Sequence, residues 1–215
     1  LVNVKVEDPK GRDVTECYSF TTPASPVRIN KRTLVFNPGK TTLTYDGSSH
    51  DTGSDIERIK SGKFDNETSL IEGDQVVSFP SVYQFTDAGK KSYTYEGKDF
   101  KIINSDGVDV TRHYNLNIGN GEFEITPAEL VISSADFTKV YDGSPIEVPS
   151  PKVDEGTPLQ GNDILKVDNL VSPFYKVGEV DNSFDFDIVD KDNTSISHKN
   201  NYHITVKTGK LIIKK

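Results

Sequence analysis

The sequence predicts an all-β fold built from tandem copies of one unit. The tripeptide Tyr45-Asp46-Gly47 recurs as Tyr141-Asp142-Gly143, 96 positions further on. Residues 11–18 match residues 107–114 at the same offset, which indicates an internal repeat and outranks any local motif. Short stretches of alternating apolar residues follow one another between turn signals, and no sustained apolar period near 3.6 appears, so strands are predicted throughout.

The repeat predicts three parts. These are the C-terminal strands of a preceding repeat (residues 1–29), a first full repeat (30–126) and a second full repeat (127–215). In the second repeat the offset falls to 88, as Tyr202 against Tyr114 shows, so residues of the first repeat's polar middle part have no counterpart. Residues 124–128 join the two repeats without a Gly/Ser linker. We therefore expect a semi-rigid rod with a preferred angle between repeats.

The predicted strands lie around short apolar stretches. In the first repeat these are 34–36, 43–45, 76–79, 93–95, 100–102, 114–118 and 123–125; in the second they are 130–132, 140–141, 146–148, 164–167, 184–188, 202–206 and 211–213. Asn120-Gly121 predicts a tight hairpin between the last two strands of the first repeat. The two Tyr-Asp-Gly motifs are interpreted as turns in which Gly adopts a positive φ.

Short strands with frequent turns favour an Ig-like β-sandwich for each repeat. Tyr18, Tyr114 and Tyr202 each head the penultimate strand. We predict that such a Tyr buries its ring and returns its hydroxyl to the backbone upstream, as a tyrosine corner does. The alternative is a β-grasp-like α+β repeat, which requires a helix at residues 55–59 that has no equivalent in the second repeat.

Composition excludes several classes of partner. The formal net charge is −8, and an evenly acidic surface disfavours nucleic acid and anionic membranes, which need clustered Lys and Arg. Apolar runs are too short to span a membrane. Cys17 is the single cysteine, so no intrachain disulfide is expected. The chain opens at Leu1 and contains no Met, and we interpret it as an internal segment of a longer protein.

No pattern predicts an enzyme. The four histidines, His50, His113, His198 and His203, lack zinc-protease spacing, and no nucleophile elbow is present. Cys17, His113 and Asn201 occupy one slot of the repeat, which we expect to face solvent because its residue type varies. No cofactor is expected. Ca²⁺ is the alternative, at Asp187, Asp190 and Asp192 or at Asp106 and Asp109, although neither cluster follows the EF-hand loop.

The motif Lys139-Val140-Tyr141-Asp142-Gly143, followed by Asn201-Tyr202-His203-Ile204 and Gly209-Lys210-Leu211, resembles the YDG/MBG-type repeats of bacterial surface proteins. Thr44-Tyr45-Asp46-Gly47, followed by Asp109-Val110-Thr111-Arg112-His113-Tyr114, resembles them too. The resemblance implies a large exported adhesin, attached to the wall or membrane through other regions, whose repeats form a stalk. Intramolecular Lys–Asn or Thr–Gln cross-links occur in stalk domains of similar context, and whether they form here stays open.

Two functions are compatible with these patterns. The first is a structural stalk that projects a distal binding region and whose partners are neighbouring repeats. The second is a module whose repeats themselves bind a host glycan or a matrix protein, through aromatic residues that include Tyr93, Tyr95 and Tyr175. The competing interpretation of these aromatic residues is that they fill the core from alternate strand positions.

Overall fold

The computed structural model describes residues 4–19, 28–65, 69–168, 170 and 174–215. The chain forms two compact units, Leu1–Lys31 and Arg32–Lys215. Nearly all of both predicted full repeats therefore lies in one unit. Over the described ranges, no helix has the length and apolar character needed to cross a bilayer.

The first unit is organised by one short turn. A 3₁₀-helix at Thr15–Cys17 follows Asp13, whose Oδ1 accepts the Thr15 N–H, while Thr15 Oγ1 accepts the Val6 N–H. The same two bonds recur 96 positions later at Asp109 and Thr111. Tyr18 is 57% exposed, so its predicted burial is wrong. The reason is that none of the described residues of this unit is buried, and no core receives the ring.

The second unit contains the strands and the α-helix. Its elements up to residue 126 are β1 (Arg32–Phe36), β2 (Lys40–Thr44), β3 (His50–Asp51), α1 (Gly53–Lys60), β4 (Gln75–Ser78), β5 (Gln84–Phe85), β6 (Gly89–Tyr93), β7 (Lys101–Ile103), β8 (Tyr114–Ile118) and β9 (Gly121–Thr126). Those that follow are β10 (Ala128–Ser133), β11 (Phe137–Val140), β12 (Lys152–Val153), β13 (Asp163–Asp168), β14 (Gly178–Asp181), β15 (Asp185–Asp190), β16 (Asn193–Ser197), β17 (Tyr202–Lys207) and β18 (Lys210–Lys214).

The strands form small sheets of two or three, none of them closed, and this mostly β content agrees with the predicted all-β class. In the first predicted repeat β1 pairs in parallel with β8, and β9 pairs in parallel with β2 and antiparallel with β6. In the second, β10 pairs in parallel with β17, and β18 pairs in parallel with β11 and antiparallel with β14. Corresponding registers agree, since Arg32 faces Tyr114 and Ala128 faces Tyr202.

The predicted hairpin at Asn120-Gly121 is wrong. β8 belongs to the sheet of β1, whereas β9 belongs to the sheet of β2 and β6. The backbone between β8 and β9 is bonded to the connection between β1 and β2. Gly119 N–H donates to Phe36 O, and Glu122 N–H donates to Gly39 O. Asn120-Gly121 therefore carries the chain from one sheet to the next instead of folding it back.

Helix α1 forms around the segment on which the β-grasp-like alternative depends. Its buried residues are Asp55, Ile56 and Ile59, at the spacing of one helical face. The two apolar residues join a core that also contains Leu34, Leu130 and Tyr202. That core is continuous across residues 126–128, so both predicted repeats share one buried cluster.

Candidate functional site: the contact between the two predicted repeats

The first Tyr-Asp-Gly turn begins where β2 ends. Tyr45 N–H donates to Thr126 O in 2.8 Å, which ties the turn to the end of β9. Asp46 Oδ1 accepts the Ser48 N–H in 2.8 Å, and Gly47 has φ 75°, a conformation that glycine tolerates best. Backbone and Asp side chain thus define the turn locally. Tyr45 is only 4% exposed because it packs on the second predicted repeat.

Asp163, the first residue of β13, is the polar centre of this contact. Its Oδ2 accepts the Tyr45 hydroxyl in 2.9 Å and the Tyr202 hydroxyl in 2.7 Å. Its Oδ1 lies 2.7 Å from His198 Nδ1. The carboxylate side chain is 2% exposed, and three partners offset the cost of burying it.

The two tyrosines also contact each other. Their ring centroids are 5.4 Å apart with planes at 79°, the edge-to-face geometry that aromatic pairs favour. Burial raises the pKa of both hydroxyls well above the usual range, and the neighbouring Asp163 raises each further. Both hydroxyls therefore stay protonated and remain hydrogen-bond donors to Asp163 at neutral pH.

Two glycines allow the turns to touch backbone to backbone. A Cβ added to Gly47 would lie 2.6 Å from Gly161 Cα, and a Cβ added to Gly161 would lie 2.9 Å from Gly47 Cα. Gly161 has φ 55°. Side chains at either position would separate the turns, so the Asp-Gly motif serves the contact as well as the local bend.

Asn201 makes the second polar attachment. Its Oδ1 accepts the Ala88 N–H in 2.8 Å, and its Nδ2 donates to Asp87 Oδ1 in 3.1 Å. Asn201 is 3% exposed, so the prediction that its slot faces solvent is wrong for the second repeat. Cys17 and His113, in the same slot, are exposed. The change of residue type is the sequence signal for this role, because the Asn201 amide bonds to Asp87 and Ala88 of the first repeat.

Tyr114 and Tyr202 occupy equivalent environments. The Tyr114 hydroxyl accepts the Ile71 N–H in 3.0 Å and donates to Asp74 Oδ2. The Tyr202 hydroxyl accepts the Gln160 N–H in 2.8 Å and donates to Asp163 Oδ2. The predicted burial of the ring and return of the hydroxyl to the backbone upstream are confirmed for both tyrosines, and the partners lie about forty residues upstream. Sequence reasoning missed Asp74 and Asp163 because that distance hides the pairing.

The second Tyr-Asp-Gly turn has the same local bonds. Tyr141 N–H donates to Lys214 O in 2.9 Å, Asp142 Oδ1 accepts the Ser144 N–H in 2.9 Å, and Gly143 has φ 81°. The Lys139 ammonium, 2.8 Å away, and Ser144 lower the pKa of the Asp142 carboxyl. Tyr141 is nevertheless 53% exposed, and no described atom lies within 4 Å of a Cβ added to Gly143.

Tyr93 and Tyr95, two predicted ligand-binding residues, belong to a buried network in the first repeat. The Tyr93 hydroxyl donates to Asp55 Oδ2 in 2.8 Å, and the Tyr95 hydroxyl donates to Thr52 Oγ1 in 2.7 Å. Burial and the Asp55 carboxylate raise the pKa of both. Their rings fill the core, whereas Tyr175 is 57% exposed. A ligand role for the three stays a prediction.

The structure gives the predicted Ca²⁺ clusters local hydrogen bonds. Asp187 Oδ1 accepts the Ser197 hydroxyl, Asp190 Oδ1 accepts the Asp192 N–H, and Asp109 Oδ1 accepts the Thr111 N–H. Among residues that the structure describes, no group of three or more His, Cys, Asp or Glu is arranged to hold a metal ion. Ca²⁺ binding stays a prediction.

Comparison with known proteins adds no assignment to this geometry. No family model, curated protein or solved structure matches the chain.

Proposed function

We propose that this chain is a stalk segment of a bacterial surface adhesin, built from tandem Ig-like copies that dock on each other. The observation that supports this function best is the contact of Tyr45 with Asp163 and Tyr202, which lies beside a junction of one residue. Strand β9 ends at Thr126 and β10 begins at Ala128. Agreement of strand pairings and registers at the sequence offsets supports the reading of residues 30–126 and 127–215 as copies.

The contact suits a spacer because it limits bending at the junction. Pro127 restricts one of the few free dihedrals between β9 and β10. The Tyr45 turn attaches to Asp163, and the Asp87-Ala88 turn attaches to Asn201. Covalent junction and two separate attachments together define an angle between the copies. A spacer with fixed angles between its copies keeps a defined end-to-end distance, whereas a flexible linker samples many distances.

The resemblance to YDG/MBG-type repeats fits the same function. Tyr45, Gly47 and Tyr202, which belong to its motifs, all lie in the contact between the two copies. An exported, surface-attached location, neighbouring repeats as partners and the absence of catalysis, nucleic-acid binding and direct membrane contact are parts of this proposal. None of the contacts described above requires a cofactor.

Small-angle scattering on the native chain and two variants tests the stalk function. Gly47 and Gly143 have nearly the same φ, so Leu at either position strains its own turn similarly, but only Gly47→Leu also clashes with Gly161. We expect the native chain and Gly143→Leu to scatter as particles whose two repeats are held at one angle, and Gly47→Leu to scatter as a broader ensemble. A native chain that already needs a broad ensemble would contradict the function.

A glycan-binding role is the second candidate, and one feature favours it. A surface depression of 480 Å³ lies beside Tyr83 and Tyr95 and is also lined by Glu96, Lys98 and Asp99. Tyr83 is 41% exposed, and an aromatic face beside polar groups suits a sugar ring. Screening the chain against arrayed glycans and matrix proteins tests this role. Saturable binding that Tyr83→Ala abolishes would support it, and a blank array with folded protein would remove it.

A further inference from the structure

We propose that the exposed turn Tyr141-Asp142-Gly143 is a docking element for a further copy of the second repeat, joined through the end of β18. This deepens the stalk function and rests on it for its purpose. The contacts of the occupied turn at Tyr45 indicate which groups the partner must offer to Tyr141 and Gly143. These are a buried carboxylate like Asp163, an aromatic ring like Tyr202 and a glycine like Gly161.

The exposed turn is already built for docking. Tyr141 N–H donates to Lys214 O as Tyr45 N–H donates to Thr126 O, in 2.9 and 2.8 Å. The Asp side chains cap both turns alike, and Gly143 keeps the positive φ of Gly47. Docking therefore needs little reorganisation, which lowers the entropic cost of association.

The surface around the exposed turn is apolar where the first repeat's equivalent is covered or polar. Val140, Tyr141 and Val177 are 66%, 53% and 47% exposed. The offset of 96 relates the first two to Thr44 and Tyr45. Val177 corresponds to Ala88 by strand register, because the glycine after each pairs with Ile213 or with its equivalent Ile125. Tyr45 and Ala88 contact the second repeat. Val140 and Val177 flank the end of β18, since Val140 pairs with Lys214 and the neighbouring Gly178 pairs with Ile213. An exposed apolar cluster of this kind marks an interaction surface.

The partner must resemble the second repeat and not the first. The turns before the two acceptor carboxylates correspond, because Asp74 N–H donates to Ile71 O and Asp163 N–H donates to Gln160 O. Glu72 stands in the first repeat where Gly161 stands in the second. A side chain there would meet the backbone of an incoming Gly143, as one at Gly161 would meet Gly47. Gly161 thus determines which copies accept the turn.

The test extends the chain by one copy. Residues 127–215 are fused directly after Lys214, which reproduces the spacing of Thr126-Pro127. The appended copy carries Tyr141→Phe, so that the only Tyr141 in the fusion is the one next to the new junction. Tyrosine nitration followed by mass spectrometry then measures the exposure of Tyr141. We expect at least a tenfold slower modification of Tyr141 than in the native chain, and a return of the native rate when the appended copy carries Gly161→Glu. An unchanged rate with a folded appended copy would overturn the proposal.

A second variant keeps the test informative should the appended copy fail to fold. In the native chain, Thr44→Val, Asp87→Lys and Ala88→Val give the first repeat the docking surface of the second, where Val140, Lys176 and Val177 occupy these positions. Tyr45 should remain protected from nitration on the unchanged acceptor, and its exposure would overturn the proposal. Small-angle scattering measures only how the two repeats of the native chain are held, so a flexible native chain would remove the stalk function. The nitration rates of Tyr141 and Tyr45 test the exposed docking surface separately.

Discussion

The two Tyr-Asp-Gly turns share a backbone conformation and differ in what covers them. Both are tied to the end of the last strand of their repeat, and both are capped by their own Asp. Tyr45 is 4% exposed and Tyr141 is 53% exposed. The motif therefore specifies a turn, and the neighbouring acceptor specifies whether that turn becomes a contact. Substitutions made in pairs separate the two contributions.

The largest expected effect is at the acceptor. Asp163→Ala leaves the Tyr45 and Tyr202 hydroxyls and His198 without their buried acceptor, so we expect a loss of about 3–5 kcal/mol in the free energy of unfolding. Asp74→Ala, the equivalent in the first repeat, removes a half-buried partner of Tyr114 and should cost about 1 kcal/mol. Urea unfolding of both variants measures the difference. Equal losses would show that Tyr45 adds nothing to the burial of Asp163.

The glycine pair gives the next largest effect. Alanine at Gly47 or Gly143 must adopt a positive φ, which costs about 1–2 kcal/mol in each turn. Gly47→Ala also forces a methyl group against the Gly161 backbone, and overpacking of this kind costs about 1–3 kcal/mol more. Thermal unfolding should give Gly47→Ala a clearly lower melting temperature than Gly143→Ala. Identical melting temperatures would argue that the turns separate at no cost.

The slot of Asn201 and His113 provides a smaller contrast. Asn201→Ala removes the acceptor of the Ala88 N–H and the donor to Asp87, and should cost about 1–2 kcal/mol. His113→Ala changes an exposed side chain and should stay within about 0.5 kcal/mol of the native chain. Urea unfolding again provides the measurement. A cost at His113 comparable to that at Asn201 would mean that the slot acts within each repeat.

The sequence predicts what repeats and alternation encode. The strand class, the turns at Tyr45 and Tyr141 and the alternation of buried residues along β9 all follow from the period of two and from turn chemistry. The pairing of β8 with β1 instead of β9 does not follow. Asn120-Gly121 has the local signature of a hairpin, and only the tertiary partners Phe36 and Gly39 redirect it.

The sequence identifies only some of the residues that form the contact between the two repeats. Tyr45, Gly47 and Tyr202 are marked by repetition, although repetition alone suggests a role inside each copy. Asp163 lies 118 positions from Tyr45 and has no motif of its own. The prediction that Asn201 faces solvent is wrong because variation in residue type between copies is also typical of exposed positions. Here the variation marks a slot whose Asn201 side chain bonds to the first repeat, and the position of Asp87 and Ala88 in the fold is what gives the variation that meaning.

Removing one hydroxyl should have a modest effect. Tyr45→Phe keeps the ring contact with Tyr202 but takes one of three donors from Asp163, so we expect a loss of about 1 kcal/mol at pH 7. Tyr141→Phe removes the hydroxyl of an exposed ring and should change stability by less than about 0.5 kcal/mol. Urea unfolding of both variants, followed by circular dichroism, measures the two changes in stability. A cost at Tyr141 would indicate that its turn is already covered in solution.

The smallest effect is a pH dependence that belongs to Tyr45. Burial and Asp163 raise its pKa in the folded state, so the stability it contributes is complete below its unfolded pKa near 10 and falls as pH rises above that value. At pH 10.5 the unfolded chain gains about 0.8 kcal/mol from ionising this one group, a gain that Tyr45→Phe lacks. The stability gap between the native chain and Tyr45→Phe should therefore shrink by about that amount between pH 8 and pH 10.5. A constant gap would mean that the hydroxyl ionises as readily in the folded state, which contradicts a buried contact with Asp163.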